Sequence, residues 1–318
     1  MTIGKPEQIT FPAPDQGTGL DPDLLKVCAH FQDDFNVDWL ADLTGLKATR
    51  LLTEFENHAA AGRLESDRPG VYRFRDQALK KKLITQAEPA QKDEIHQRIA
   101  AMLMVEAEEA PESADRLSHH LLRIPNNFDG CTSLLKAGDL HLKRYDNETA
   151  FQCYAKAIED LSGLSGDDAD RLFADAAVKY ASLSTARHDT GLVLKTLYDA
   201  MGRAERLRYD EAGVLLLMQA AKNEWLTARY SKALKSFEKG WQRAEAVNTP
   251  RVLRTAQNFS TFFLYWQGRF REVVDNHEKT QPDVDKLPLG QFPLLAATTV
   301  GYCYAQVGQV TQGLGMLD

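Results

Sequence analysis

Eight histidines, four cysteines and 45 carboxylates are the side chains with which this chain could do chemistry, and their spacing argues against catalysis. His119 and His120 are adjacent, so on a helix they point about 100° apart and do not chelate one metal together. No H-E-x-x-H, nucleophile elbow or G-x-x-x-x-G-K-[ST] occurs in the 318 residues, and Gly4-Lys5-Pro6 is not a phosphate loop. Asp167 and Asp168 stand in GLSGDDAD, where short carboxylates read as helix caps. Cys28, Cys131, Cys153 and Cys303 form no C-x-x-C, so they read as reduced, buried thiols in a cytoplasmic protein. No catalytic residue, metal or cofactor is expected.

Composition narrows the field further. Hydrophobic residues make up 43% and charged residues 26%, ordinary for a globular chain of more than one module. A net charge of −7 and a pI near 5.7 oppose broad attraction to phosphate backbones. The opening residues, about 1–20, lack the apolar core of a signal peptide and read as a flexible lead-in. Leu287 to Leu317 carries no charge, but its prolines, glutamines and glycines suit buried repeat helices better than a bilayer.

The elements follow from periodicity. From 21 to 87 the pattern gives a helix with Leu24, Leu25 and Cys28, a short extended piece, and a helix with Trp39, Leu40 and Leu43 stopped at Gly45. A third helix carries Leu51, Leu52 and Phe55 and stops at Gly62. LESD, RPG and VYRFR then form a hairpin in which Tyr72 and Phe74 face one way and Arg73 and Arg75 the other. Three helices and a two-stranded wing make a small winged-helix domain. Its exposed cations Lys47, Arg50, Arg73 and Arg75 are the candidates for contact with DNA or a neighbouring domain. Glu54 and Glu56 on the would-be recognition helix weigh against DNA. Lys80, Lys81 and Lys82 fan around the next helix and read as its solvated face.

Residues 88–130 read as linking helices, and from 131 to 318 the chain repeats. Ala150/Tyr154/Ala157, Val193/Leu197/Ala200, Ala233/Phe237/Gly240, Val273/His277/Thr280 and Gly313/Leu317 recur at steps of about 43, 40, 40 and 40 residues. Ala137-Gly138, Ala220-Ala221 and Val300-Gly301 supply small residues on the preceding helix of a pair, while Ser260-Thr261 makes the fourth unit the weakest. About five helical hairpins are expected, the last truncated at Asp318, as in a fragment of something longer. The fold class is therefore mainly α: a winged-helix domain followed by an α-α superhelix.

These units resemble tetratricopeptide repeats. AGDLHLKRYDNETAFQCYAKAIEDL follows that family's small–Gly, then Ala, aromatic, Ala pattern, and YSKALKSFEKGWQRAE and GYCYAQVGQVTQG echo it. The passage YRFRDQALKKKLITQAEPAQKDEIHQRIAAML, then RLSHHLLRI, is similar to the junction of winged helix and repeats in bacterial signal-transduction ATPases with numerous domains, including large LuxR-type regulators. The resemblance implies a sensor solenoid beside a regulatory winged helix, with an ATPase or other signalling domain as its neighbour, lying upstream or lost. Where that family commonly has a histidine after R-F-R, this chain has Asp76, and a carboxylate repels phosphate.

Carrying the repeat family's groove positions onto this sequence gives Asp139, Met218, Lys222, Trp225, Asn258, Phe262, Tyr265 and Tyr302. Trp225 and Tyr265 fall one period apart, which suits a protein, peptide or small ligand in the concave groove. The function implied is a non-catalytic sensor coupling that ligand to a neighbouring domain. The alternatives are a DNA-binding regulator acting through the winged helix, and part of an ATP-hydrolysing enzyme whose nucleotide module lies outside this sequence.

Overall fold

The structure, a computed structural model, describes residues 22–109, 113–185, 187–280 and 293–316. The lead-in at 1–20, Gly4-Lys5-Pro6, Leu317 and Asp318 lie outside these residues, as does the start of the uncharged stretch from Leu287. The chain is mainly helical, with a small three-stranded sheet near its N-terminus followed by helical repeats. It divides into two units, residues 1–126 and 127–318.

In the first unit, helix α1 (Pro22–Ala29) leads to strand β1 (Asp34–Asn36), then helices α2 (Val37–Thr44) and α3 (Ala48–Ala60). Asn36 caps α2 by accepting from the Trp39 amide at 2.7 Å, and Gly45 ends it with φ near 69°, a torsion that favours glycine. Strands β2 (Leu64–Arg68) and β3 (Val71–Phe74) form the expected hairpin. β1, read only as an extended piece, pairs with β3 as well, giving the antiparallel order β1-β3-β2. Tyr72 and Phe74 point inward and Arg73 outward, because successive strand side chains alternate. With Phe35 and Phe55 they build an aromatic core whose rings lie 5.1–6.5 Å apart.

Asp76 has a structural use. Its carboxylate accepts from the Leu79 amide at 2.9 Å and starts helix α4 (Gln77–Gln86). On α4 the lysine run splits: Lys81 and Lys82 are exposed, while half-buried Lys80 donates to the Gln32 carbonyl at 2.7 Å. Helices α5 (Pro89–Glu109) and α6 (Ala114–Leu121) fall wholly within the expected link, and they cluster with the first unit. Arg116 of α6 bonds Asp34 of β1 at 2.5 Å and lies over the Trp39 ring, and His96 and His120 meet inside. These contacts are too distant in sequence for periodicity to show.

The second unit is a run of five helical pairs among the described residues: α7 (Phe128–Lys143) with α8 (Asn147–Ser162), α9 (Asp167–Leu183) with α10 (Thr190–Arg206), α11 (Asp210–Leu226) with α12 (Tyr230–Val247), α13 (Pro250–Trp266) with α14 (Phe270–Thr280), and α15 (Pro293–Gln306) with α16 (Val310–Gly315). The second helices begin at Asn147, Thr190, Tyr230, Phe270 and Val310, reproducing the expected step. No helix among the described residues is long and apolar enough to cross a membrane.

Small residues set how closely paired helices approach. A Cβ on Gly138 would stand 2.4 Å from the buried Tyr154 ring, and one on Gly313 would stand 2.5 Å from the Gly301 carbonyl oxygen. Ala150, Cys153 and Ala157 are fully buried on the facing helix. Ser260 of the weakest unit is buried too, and Val273 and Val274 close its core with Leu264, Val300, Cys303 and Tyr304.

Four of the pairs turn through one motif. Tyr145, Ala228, Gly268 and Gly308 sit at left-handed φ values of 64°, 58°, 73° and 89°. At Ala228 that residue's amide bonds the Trp225 carbonyl and the next, Arg229, bonds Glu224; Gly268 and Arg269 repeat this on Tyr265 and Leu264, and Gly308 and Gln309 on Ala305 and Tyr304. This is a helix C-terminus closed by a left-handed residue. Three of the four left-handed residues lie 40 positions apart, so equivalent side chains around them recur in equivalent places.

Candidate partner-binding site

The repeated turn gathers aromatic side chains at one end of α11, α13 and α15. Trp225, next to last in α11, packs against Tyr230 at the start of α12, with ring centres 4.7 Å apart, and against Phe262 and Phe263 of α13 at 6.1 and 5.5 Å. Tyr265, its equivalent on α13, lies 5.6 Å from Tyr302 of α15 and 6.0 Å from Phe270. Trp266 links the two groups, 6.4 Å from Trp225 and 5.5 Å from Tyr265. The result is an unbroken chain of rings from Tyr230 to Tyr302.

Several of these side chains, with Leu226 beside them, stay partly in solvent. Trp266 is 57% exposed, Tyr230 52%, Tyr302 45% and Leu226 41%. Large apolar side chains so grouped and so bare mark interaction surfaces. The edge also carries cations. Among the described residues Arg229, which is exposed, has no ion pair, and Arg271 donates only to the Val307 carbonyl at 3.5 Å. Arg269 pairs with Glu272 of its own turn, and Lys232 with the buried Glu224 at 3.1 Å. The balance is positive on a chain whose net charge is −7.

The expected groove residues separate into two sets. Trp225, Phe262, Tyr265 and Tyr302 come together on this edge, and Asn258 is half-buried one turn before Phe262. Met218 does not line a groove: it is fully buried among Val214, Ala221 and Phe259, because Gly240 leaves room for it beneath α12. Lys222 is not available either. Its ammonium donates to the Ala181 and Ser182 carbonyls at 2.6 and 3.0 Å and holds the C-terminus of α9, while burial pushes its pKa down to about 7. The next residue, Asn223, accepts from Ser184 at 2.7 Å and completes the clamp.

Asp139 is a strut. It accepts from Tyr154 of α8 at 2.7 Å and from Lys179 of α9 at 2.6 Å, joining three helices. Burial first, and the Asp139 charge second, hold the Tyr154 phenol far above its ordinary pKa. Its carboxylate is 42% exposed, but the ion pair with Lys179 already engages it.

In the first unit, Lys47 precedes α3 and Arg50 lies in its first turn, while Arg75 is exposed just past β3. Arg73 is not a bare cation, since Glu65 and Asp67 bond it at 2.6 and 2.9 Å. No trio of His, Cys, Asp or Glu among the described residues has metal-binding geometry.

Trp266, Tyr230 and Phe270 were missed by the sequence reading. The signal was there: 226/266/306 and 230/270/310 are columns of the same 40-residue alignment, and reading them gives Leu/Trp/Gln and Tyr/Phe/Val.

No family model matches the chain, and no curated protein matches it. Among solved structures it is similar to a signal transduction ATPase with numerous domains from Pyrococcus horikoshii, described as having a tetratricopeptide repeat sensor. The identity is 11% and the TM-score 0.43, over 94% of this chain and 56% of that one. This chain thus spans little more than half the length of that protein.

Proposed function

We propose that this chain is a non-catalytic sensor and interaction scaffold of a bacterial signalling ATPase or transcription regulator, docking an acidic protein segment on the aromatic edge of its second unit. The observation that carries the reading is the bare row Tyr230, Trp266 and Tyr302 beside the unpaired Arg229. Half-exposed aromatic rings gain most when an apolar anchor covers them, and Arg229 and Arg271 favour carboxylates around that anchor. The start of the first unit, α1 to α3 with the β1-β3-β2 sheet, reads as a winged helix, and its role is contact with the neighbouring domain. Binding acts by favouring one arrangement of the chain against that domain, to the extent that the partner prefers it. Four buried cysteines, none of them in a disulfide, suit the reducing cytoplasm.

The test uses an array of synthetic peptides, each with one Trp, Phe or Leu anchor flanked by glutamates, against matched sets flanked by lysines. Binding is followed by tryptophan fluorescence. Glutamate-flanked peptides are expected to bind with affinity that falls as salt rises. Trp266→Ala should lose about 30-fold, the equivalent of about 2 kcal/mol at an aromatic anchor. Equal binding of both peptide sets, or affinity untouched by Trp266→Ala and Arg229→Glu, overturns the reading.

A further inference from the structure

Four of the eight histidines, from three separate stretches of the sequence, converge inside the first unit. His30 follows α1 directly, His96 lies on α5, and His119 and His120 lie in the last turn of α6. The rings of His30 and His96 are centred 5.1 Å apart, those of His96 and His120 5.0 Å, and those of His119 and His120 5.1 Å. His96 and His120 touch through their Nδ1 atoms at 2.8 Å. Two imidazole nitrogens at that distance share one proton, one donating and one accepting, so the two rings cannot both be protonated. The separation is also shorter than the roughly 3.3 Å between neighbouring ligand nitrogens of a tetrahedral zinc site.

The surroundings oppose any added charge. His30 Nδ1 meets the Lys26 carbonyl at 2.8 Å, and its Nε2, like that of His120, is buried with no hydrogen-bond partner among the described residues. The charged groups acting on the quartet are cations: Lys80 of α4, Lys92 of α5 and Arg123 just beyond α6. The Phe31 ring packs edge-on against His120 at 6.0 Å. Of the carboxylates on these elements, Glu94 of α5 pairs with Arg98, Asp34 bonds Arg68 and Arg116, and Asp33 acts on Lys80, while Asp93 of α5 and Asp115 of α6 lie one turn before His96 and His119 in sequence. Burial first, and neighbouring positive groups second, bring His96 down to about 3, His119 to about 4 and His120 to about 2.

We propose that this quartet is an acid-sensitive latch that holds α6 against α1 and α5 and releases it when the imidazoles take up protons. The sign follows from linkage. Once α6 lifts away, each ring regains the ordinary histidine value near 6.5, so the released form binds protons that the closed form refuses. Closure is strongest above pH about 6.5 and weakens as the pH falls. Each proton taken up on release shifts the equilibrium about tenfold per pH unit. Arg116 of α6 also pairs with Asp34 of β1, and Leu117 and Leu121 of the same helix are buried. This latch does not depend on the docking edge, which lies in the other unit.

Hydrogen exchange on the full chain, corrected for intrinsic rates, tests the latch between pH 7 and 4.5. Protection of α6 amides is expected to fall at least tenfold per pH unit below about 6.5, while β3, α3 and α11 hold theirs. His96→Leu with His120→Leu should flatten the α6 profile. Should that variant not fold, histidine ring resonances of the unaltered protein give the second readout, with His96 and His120 expected to stay neutral down to pH 5. Indifference of α6 to pH, loss of β3 and α3 together with α6, or either ring titrating near 6.5 in the closed form overturns the proposal.

Discussion

Trp266 lies 6.4 Å from Trp225, ring centre to ring centre, and the two rings divide the labour of the aromatic edge. Trp225 is half-buried against Phe262 and Phe263 and supports the fold, whereas Trp266 is mostly in solvent. Trp225→Ala should therefore lower stability by about 2–3 kcal/mol, somewhat less than a fully buried aromatic. Trp266→Ala should change it by less than about 1 kcal/mol. Urea unfolding followed by circular dichroism separates the two, and equal losses would remove the distinction between support and contact.

Gly138 and Gly240 both face a neighbouring helix, yet they differ in what an added methyl meets. On Gly138 it meets the Tyr154 ring, which is buried and fixed through Asp139. On Gly240 the nearest atom is the flexible end of Met218 at 3.1 Å. Gly138→Ala is expected to cost at least 2 kcal/mol and Gly240→Ala about 1 kcal/mol or less, in keeping with the cost of overpacking. A reversed order of unfolding midpoints would mean that the two helix pairs are not packed as described.

The shared turn motif gives a torsional test. Ala228 bears a side chain at φ 58°, where Gly268 and Gly308 have none. Ala228→Gly should stabilise by about 0.5–1 kcal/mol despite glycine's extra freedom when unfolded. Gly268→Ala, with nothing within 4 Å of the new methyl, should cost about 1 kcal/mol from the backbone alone. Thermal unfolding of both variants checks the pair.

Lys222 sets a pH dependence. Its folded value, lowered to about 7 by burial, leaves the native amine neutral across a range where the unfolded chain keeps its proton, up to pH about 10.5. The unfolded state binds more protons there, so stability rises with pH above 7, by up to about 1 kcal/mol per unit. Above pH about 8.5 the cysteines reverse the trend. Burial raises Cys131 and Cys153 to about 12 and Cys303 to about 11, so the unfolded thiols ionise first and stability is lost as pH rises. A stability maximum near pH 8.5 is expected, and Lys222→Met should remove the rise between 7 and 8.5. A rise that survives that substitution would assign it to another group.

The carboxylates on Arg73 predict no DNA affinity. A mobility-shift assay at about 50 mM salt should show no retained duplex, and alanines at Lys47, Arg50, Arg73 and Arg75 should change nothing. Retention that weakens by about 0.9 log units per log unit of salt for each phosphate neutralised, and that these alanines abolish, would restore the DNA reading.

The repeat was legible because small side chains are tied to a geometric need. Gly138 and Gly240 recur where an added methyl meets a side chain of the facing helix, and Ala157 is fully buried, so spacing alone reveals the hairpins. The unit boundary was not legible, since the pairs that fasten α6, Arg116 with Asp34 and His120 with His96, span 82 and 24 residues. Met218 misled because its family position faces a groove, while here α12 and α13 enclose it. Of the adjacent aromatics Tyr265 and Trp266, the family pattern drew attention to the first. Only the coordinates show that the last residue of the helix carries the larger exposed ring.

The common turn has an evolutionary corollary. Because a left-handed residue closes each of these bends through the same backbone bonds, the positions flanking it behave like slots in a fixed rack. Exchanging Leu226, Trp266 or Gln306, or Tyr230, Phe270 or Val310, would rewrite what the edge prefers without disturbing the frame that displays it. Close kin of this chain could thus diverge quickly in what they hold while their scaffolds stay superimposable.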